Sequence, residues 1–167
     1  AVQRNAQRIS KITSSLLSFS RQSPVIMGAV KPLDVMNAAC ELVTHSVRDK
    51  GIKLAVTCGE DLPRIKGDIT QLEQVFVNLM TNGIDAMEFG GTLSVSVEAK
   101  QNFLDINVRD SGPGIPLEIQ EKIFEPFFTT KDVGKGTGLG LSITHGIVAD
   151  HQGTIQIKSK VGEGTIV

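Results

Sequence analysis

Apolar residues recur along this chain with two periods, and the periods map its elements. In "AVQRNAQRISKITSSLLSFSRQ", Val2, Asn5, Ile9, Ile12, Leu16 and Phe19 follow a 3-4-3-4-3 spacing. That is the seam of a coiled coil or helical bundle with one polar member, and one helix cannot bury it alone. Pro24 ends the pattern and places a boundary near Ser23, giving segments 1–23 and 24–167.

The rest alternates between the periods. "VIMGAVK" reads as a short strand. "PLDVMNAACELVTHSVRDKG" reads as a helix with Pro32 in its first turn, Gly51 as its stop, and an apolar face of Leu33, Met36, Ala39, Cys40, Val43 and Val47. "IKLAVTCG" is a strand and "DLPRIKG" a connection. "DITQLEQVFVNLMTNGIDAM" is a second helix, opened by a capping-box-like pair, Asp68 and Gln71. Its apolar face is Leu72, Val75, Phe76, Leu79, Gly83 and Ala86. "GTLSVSVEAKQNFLDINVRDSG" is a hairpin turning at "KQN". An irregular span, Ser111 to Thr137, precedes a third helix, "LGLSITHGIVADHQ", and a second hairpin, "GTIQIKSKVGEGTIV". This order predicts an α+β, two-layer sandwich with helices on one face of a mixed sheet, not a doubly wound parallel sheet. The long loop is expected to be a lid or binding loop.

Composition narrows the classes. The chain has 167 residues, 40% of them hydrophobic, enough for one good-sized core. Its net charge is −1, from 17 basic and 18 acidic residues, so neither nucleic acid nor an anionic membrane is an expected partner. No apolar run approaches a membrane span, and the expected location is cytoplasmic, although the parent protein could be membrane-anchored. Cys40 and Cys58 lack CxxC partners and read as reduced core residues.

Three features carry candidate chemistry. Asn78, Asn82 and Asp85 fall within about 60° of one another on the second helix, at ~100° per residue. They form either a solvated face or a ligand face. Asn, Asp and Gly cost up to about 0.7 to 1 kcal/mol each relative to Ala in a helix, so something besides helicity selects Asn78, Asn82, Gly83 and Asp85. Amide oxygens in a row can hold Mg²⁺ beside phosphate oxygens. Next, Asp110 ends a strand and is followed by Gly112 and Gly114. It is either a turn-former or a half-buried acceptor for an exocyclic amino group. Last, "GKGTGLGLSI" feeds the third helix. It is neither a Walker A loop nor a dinucleotide fingerprint. Gly136, Gly138 and Gly140 can present backbone N–H groups at a helix start, with Lys131 and Lys135 nearby, unless the segment is only a mobile surface loop.

Together, in this order, these pieces resemble the ATP-binding catalytic domain of two-component sensor histidine kinases, in the GHKL superfamily. "NLMTNGIDAM" resembles the N box, "DSGPGI" the G1 box, "FEPFFTT" the F box and "GKGTGLGLSI" the G2 box. The resemblance spans roughly residues 24–167 and implies the Bergerat fold: a mixed, mostly antiparallel sheet covered by three helices. It implies Asn82 as Mg²⁺ ligand, Asn78 lining the triphosphate, and Asp110 accepting from the adenine amino group. Gly112, Gly114 and Ile115 would wall the base. Phe124, Phe127 and Phe128 would anchor the lid, with Thr130, Lys131 and Lys135 near the nucleotide. Backbone of Gly136, Thr137, Gly138, Leu139, Gly140 and Leu141 would cradle phosphates, and Thr165 would act near the base through water. The chain departs from the family with Ser111 after the aspartate, Gly83 where Ala is usual, and Asp85 where other branches often carry Lys.

The resemblance also implies a reaction. Hydrolysing members carry Glu four residues before the Mg²⁺ asparagine. Asn78 stands there and cannot act as a general base. That implies phosphoryl transfer from ATP to a histidine on a dimerisation domain, with a response regulator receiver domain downstream and a homodimer in the full-length protein. No catalytic side chain is assigned, and His45, His145 and His151 read as structural. The acceptor histidine is absent, and residues 1–23 resemble the truncated end of a dimerisation helix. The rivals are a GHKL ATPase that hydrolyses ATP to drive conformational change, and a non-catalytic ATP-binding regulatory module.

Overall fold

Pro32 fixes the first turn of helix α1, Pro32–Asp49, whose inner face packs chiefly against the long helix that follows, Ile69–Ala86. The computed structural model describes residues 25–132 and 136–167. The N-terminal seam of residues 1–23 and Lys135 lie outside them. The elements run β1 (Gly28–Val30), α1, β2 (Lys53–Cys58), β3 (Ile65–Gly67), α2 (Ile69–Ala86), β4 (Thr92–Ala99), β5 (Leu104–Asp110), the one-turn α3 (Leu117–Gln120), a 3₁₀ turn (Lys122–Phe124), α4 (Gly140–Asp150), β6 (Lys158–Lys160) and β7 (Gly164–Ile166).

The main sheet has the order β2-β4-β5-β7-β6. Only β2 and β4 run parallel; the other pairs are antiparallel. Alternation along β4 sends Leu93, Val95 and Val97 inward to complete burial, while Ser94 and Ser96 stay half-exposed. The inner face meets Met36, Ala39, Phe76, Met80 and Ile84 of α1 and α2. This is the expected two-layer α+β arrangement with a mixed, mostly antiparallel sheet. Among the described residues the three long helices are joined by the one-turn α3.

Four local expectations are corrected. Leu33 is exposed, and Val35 takes its place in the core. The buried arc of α1 is Pro32, Val35, Met36, Ala39, Val43 and Val47, and Leu33 lies about 100° off its first member. "DLPRIKG" is more than a connection: Ile65–Gly67 pairs antiparallel with Gly28–Val30. Such a short strand has no readable period, and its partner is remote in sequence. The irregular span contains α3 and the 3₁₀ turn, again too short for periodicity. In the last hairpin only Lys158–Lys160 and Gly164–Ile166 form strands.

Helix α2 is pinned at both ends. Asp68 caps it, with Oδ1 accepting from Thr70 N and Gln71 N, while Oδ2 accepts from Ile26 N. At the other end Lys50 Nζ donates to the carbonyls of Ile84 and Met87 at 2.8 and 3.0 Å. His151, just past α4, joins that helix to α2. Its Nε2 accepts from Asp68 N at 2.9 Å, so Nδ1 carries the proton and donates to Ile147 O at 2.8 Å. Gly67 leaves the space the ring occupies: a Cβ there would lie 3.0 Å from His151 Cδ2. His45 and His145 are exposed, the latter tilted against the Phe124 ring. His151→Ala is therefore expected to cost about 1–3 kcal/mol by denaturant unfolding, because it leaves the Asp68 N–H without its acceptor, whereas Ile147 O keeps the backbone N–H of residue 151. His45→Ala is expected to stay within about 0.5 kcal/mol.

Candidate nucleotide site

The register between β5 and β7 sets Asp110 opposite Thr165, and α2 packs over β5 at Asp110. Between α2, the end of β5, the loop after it and α4 lies a cavity of about 490 Å³, part of it open to solvent. Its walls are mostly apolar: Leu79, Val108, Ile115, Leu141, Ile157 and Val167. Its polar groups are few: Asn82, Asp110 and Thr165. A mostly apolar cleft with a few convergent polar groups is the usual form of a small-molecule site.

Asp110 is 7% exposed. Burial pushes its carboxyl above the ordinary carboxylate value, against the pull of backbone N–H groups of Gly112 and Thr165. Gly112 N donates to Oδ1 at 2.8 Å. Gly83 is what lets α2 approach: a Cβ there would sit 2.9 Å from Leu93 Cδ1 and 3.2 Å from Asp110 Cβ. Gly114 has φ +73, and a Cβ there would fall 2.1 Å from the Lys160 carbonyl. That contact, with Gly162 N donating to Pro113 O, clamps the loop after Asp110 onto the β6–β7 turn.

Asn78 points at α4. Its Nδ2 lies 3.2 Å from Gly140 O and 3.3 Å from Thr144 Oγ1. Thr144 is fully buried and also donates to Gly140 O at 2.9 Å. The first residue of α4 is thus held beside α2: a Cβ on Gly140 would be 3.9 Å from both Asn78 Cγ and Asn82 Nδ2. The start of α4, where N–H groups lack intrahelical partners, lies next to Asn82.

The structure brings together Asn82, Asp110, Gly114, Ile115, Leu141 and Thr165 around the cavity, with Gly112, Asn78 and Gly140 bracing it. Others stand apart. Phe128 is half-buried and Thr130 exposed, and neither lines the cavity. The Phe127 ring is 62% exposed, so this residue anchors the loop through its backbone N–H, which donates to Gly138 O at 2.9 Å. Leu139 is buried, and its N lies 3.4 Å from Thr137 Oγ1. Lys131 Nζ pairs with Asp85 Oδ2 at 2.6 Å and ties the loop to α2. Gly136 packs against Thr129 and Lys131.

Sequence reading missed Gly83 and Ala86 as cavity wall, having placed both in the core face; Ala86 is exposed into the cleft. It also missed Ser159, which braces Ile115 and Thr165, and Gln120, whose Nε2 donates to Ile115 O and Ser159 O. A three-residue strand, Lys158–Lys160, carries no period that could have flagged Ser159. Cys40 and Cys58 are free thiols, as expected. Among the described residues no helix is long and apolar enough to cross a membrane.

This cavity, between a helix carrying paired asparagines and a strand ending in a buried aspartate, marks a class also found by comparison. The chain belongs to the family described as histidine kinase-, DNA gyrase B-, and HSP90-like ATPase, whose model matches residues 67–167. Its relatives there are sensor kinases. Sensor kinase CckA of Brucella abortus (strain 2308) is 40% identical over 179 residues, covering 98% of this chain and 19% of that protein. Sensor histidine kinase ZraS of Escherichia coli (strain K12) is 36% identical over 162 residues, covering 97% and 34%. The chain thus spans about a fifth to a third of the length of these curated relatives. Among solved structures, the nucleotide-free catalytic domain of histidine kinase ThkA matches with a TM-score of 0.76 at 34% identity, covering 84% of this chain and 91% of that one. Histidine kinase ThkA in complex with response regulator protein TrrA matches with a TM-score of 0.81 at 27% identity, covering 99% and 47%.

The raised carboxyl has a stability consequence. Asp110 favours the folded state fully only below the unfolded carboxyl's pKa, and that contribution is lost as pH rises through its higher folded value. Asp110→Asn is therefore expected to be more stable than the natural chain at neutral pH. Melting temperatures measured from neutral to acid pH are expected to converge as pH falls through that window.

Proposed function

We propose that this chain binds ATP with Mg²⁺ and presents the γ-phosphate to a histidine on a dimerisation domain of its parent sensor kinase. The observation that carries the reading is Asp110: a buried carboxyl with an elevated pKa at the edge of an apolar cavity. Such a group suits an amino-group donor that enters with a flat apolar ring. Gly114 and Ile115 wall the ring, and Asn82 with the start of α4 marks the phosphate end.

The residues suit a metal held chiefly through phosphates. Among the described residues no group of three or more His, Cys, Asp or Glu is assembled for a metal ion. Mg²⁺ is commonly bound by one or two protein oxygens plus substrate phosphates, and the Asn82 amide oxygen is the protein's contribution. Bound ATP·Mg²⁺ supplies the transferable phosphoryl group and neutralises its developing charge. The chain's part is placement. Asp110 and Thr165 orient the base, and the apolar walls exclude water. N–H groups at the start of α4 face the phosphates, and the Gly136–Leu141 segment with Lys131, Lys135 and Thr130 covers them.

Asn78 favours transfer over hydrolysis. It has no basic group, and its amide donates to Gly140 O and Thr144 Oγ1 instead of orienting a water. No histidine of this chain suits the acceptor: His151 holds α2 to α4, and His45 and His145 lie outside the cavity lining. The acceptor then belongs to the dimerisation domain, of which residues 1–23 form the end, with 24–167 as the ATP-binding domain. A response regulator receives the phosphoryl group, the full-length protein is a homodimer, and this part works in the cytoplasm.

ATP·Mg²⁺ titration is expected to show binding that Asp110→Asn and Asn82→Ala each weaken at least about tenfold, the scale of one charge-assisted contact. Mixed with a dimerisation domain bearing the acceptor histidine, the chain is expected to generate phosphohistidine, and alone to label nothing. Fast steady-state ATPase abolished by Asn78→Ala would replace this reading with the hydrolytic one. Binding without transfer would leave a regulatory module.

A further inference from the structure

The cavity wall across from α2 carries a hydroxyl whose direction follows once every contact of its neighbour Ser159 is a hydrogen bond. Ser159 of β6 and Thr165 of β7 are register partners, and their side-chain oxygens lie 2.9 Å apart. Ser159 Oγ has two other partners of fixed polarity. The backbone N–H of Ile115, at 2.8 Å, can only donate. The carbonyl of Gly164, at 3.0 Å, can only accept. A serine hydroxyl has one proton and two acceptor sites. With the proton on Gly164 O and one acceptor site filled by Ile115, the third contact is a hydrogen bond only if Thr165 donates. Thr165 is 8% exposed, so solvent competes little for its proton. It therefore turns lone pairs toward the cavity it lines. Asp110 opposite is also an acceptor when ionised, and its Oδ1 already takes the Gly112 N–H.

We propose that Ser159, which does not itself line the cavity, is a positioning residue that locks Thr165 as an acceptor and so makes this end of the site select a base with an amino group over one with a carbonyl there. The inference rests on the nucleotide reading above. The two protons of an amino group meet Asp110 and Thr165, directly or through one bridging water. A 6-oxo group in the same place sets lone pairs against lone pairs. Buried polar groups left unpaired discriminate far more than a change of apolar shape.

The test is binding of ATP and of inosine triphosphate, each with Mg²⁺, to the natural chain, Ser159→Ala and Ser159→Thr, with melting curves as a folding check. The natural chain is expected to prefer ATP by on the order of a hundredfold. In Ser159→Ala the Thr165 hydroxyl is free to turn and donate, so the preference is expected to fall about tenfold, mainly through tighter inosine triphosphate binding. Ser159→Thr keeps the hydroxyl and is expected to restore the preference. If Ser159→Ala does not fold, Thr165→Val carries the test: it is expected to weaken ATP severalfold without weakening inosine triphosphate, because it removes both the acceptor and the opposing lone pairs. A merely structural Ser159 would weaken both nucleotides equally and keep their ratio, and that result, or an unchanged ratio in Thr165→Val, overturns the proposal while leaving the nucleotide reading intact. Binding of neither nucleotide to the natural chain overturns both.

Discussion

Helix α2 is gripped from two sides, and both grips use residues that a helix by itself disfavours. On the sheet side Gly83 permits an approach that a Cβ, 2.9 Å from Leu93 Cδ1, would block. On the α4 side Asn78 holds Gly140 O and Thr144 Oγ1. The first spacing decides how far Asp110 is withdrawn from water. The second decides where the start of α4 stands relative to Asn82. Gly and Asn each cost helix stability relative to Ala, and the hydrogen-bonded, close-packed contacts they allow offset that cost.

Other contacts around the cavity are weaker. The Lys131–Asp85 pair joins the loop to α2, but both side chains are about a third exposed, so it contributes little to stability, about 0–1 kcal/mol. A polyanion can compete for such a lysine. The Phe127–Gly138 backbone contact and buried Leu139 instead fix where the loop returns to the fold. The result is a floor of strands and α2 beneath a loop that, among the described residues, is tied down by the Lys131–Asp85 pair and the Phe127–Gly138 contact, a common division between scaffold and binding segment.

Long periodic elements were legible in the sequence because one face of each is buried over several turns or strand pairs. All three long described helices, the first hairpin and β2 were anticipated. The strand at Ile65–Gly67 and helix α3 were not, since three or four residues carry no period and their partners lie far along the chain. Leu33 shows the limit on a long helix: apolar character marks a face only to within about one residue, and packing chose Val35. At the site, Asn82 and Asp110 stood out because their residue types are unusual for a plain helix face or strand end. Ser159 did not, since an exposed-looking serine between lysines has no local signature.

The amino-acid sequence by itself determined the two-layer class, the helix boundaries and the set of polar and glycine residues from which a nucleotide site is built, because these depend on local period, caps and side-chain chemistry. Only the tertiary structure decided which of them meet. It placed Asp110 against Thr165 through the β5–β7 register, turned Asn78 from the cavity toward α4, and set Ser159 behind Thr165. Those choices depend on distances between elements remote in sequence and on burial that withdraws a carboxyl from water, and neither is written in any local stretch of the chain.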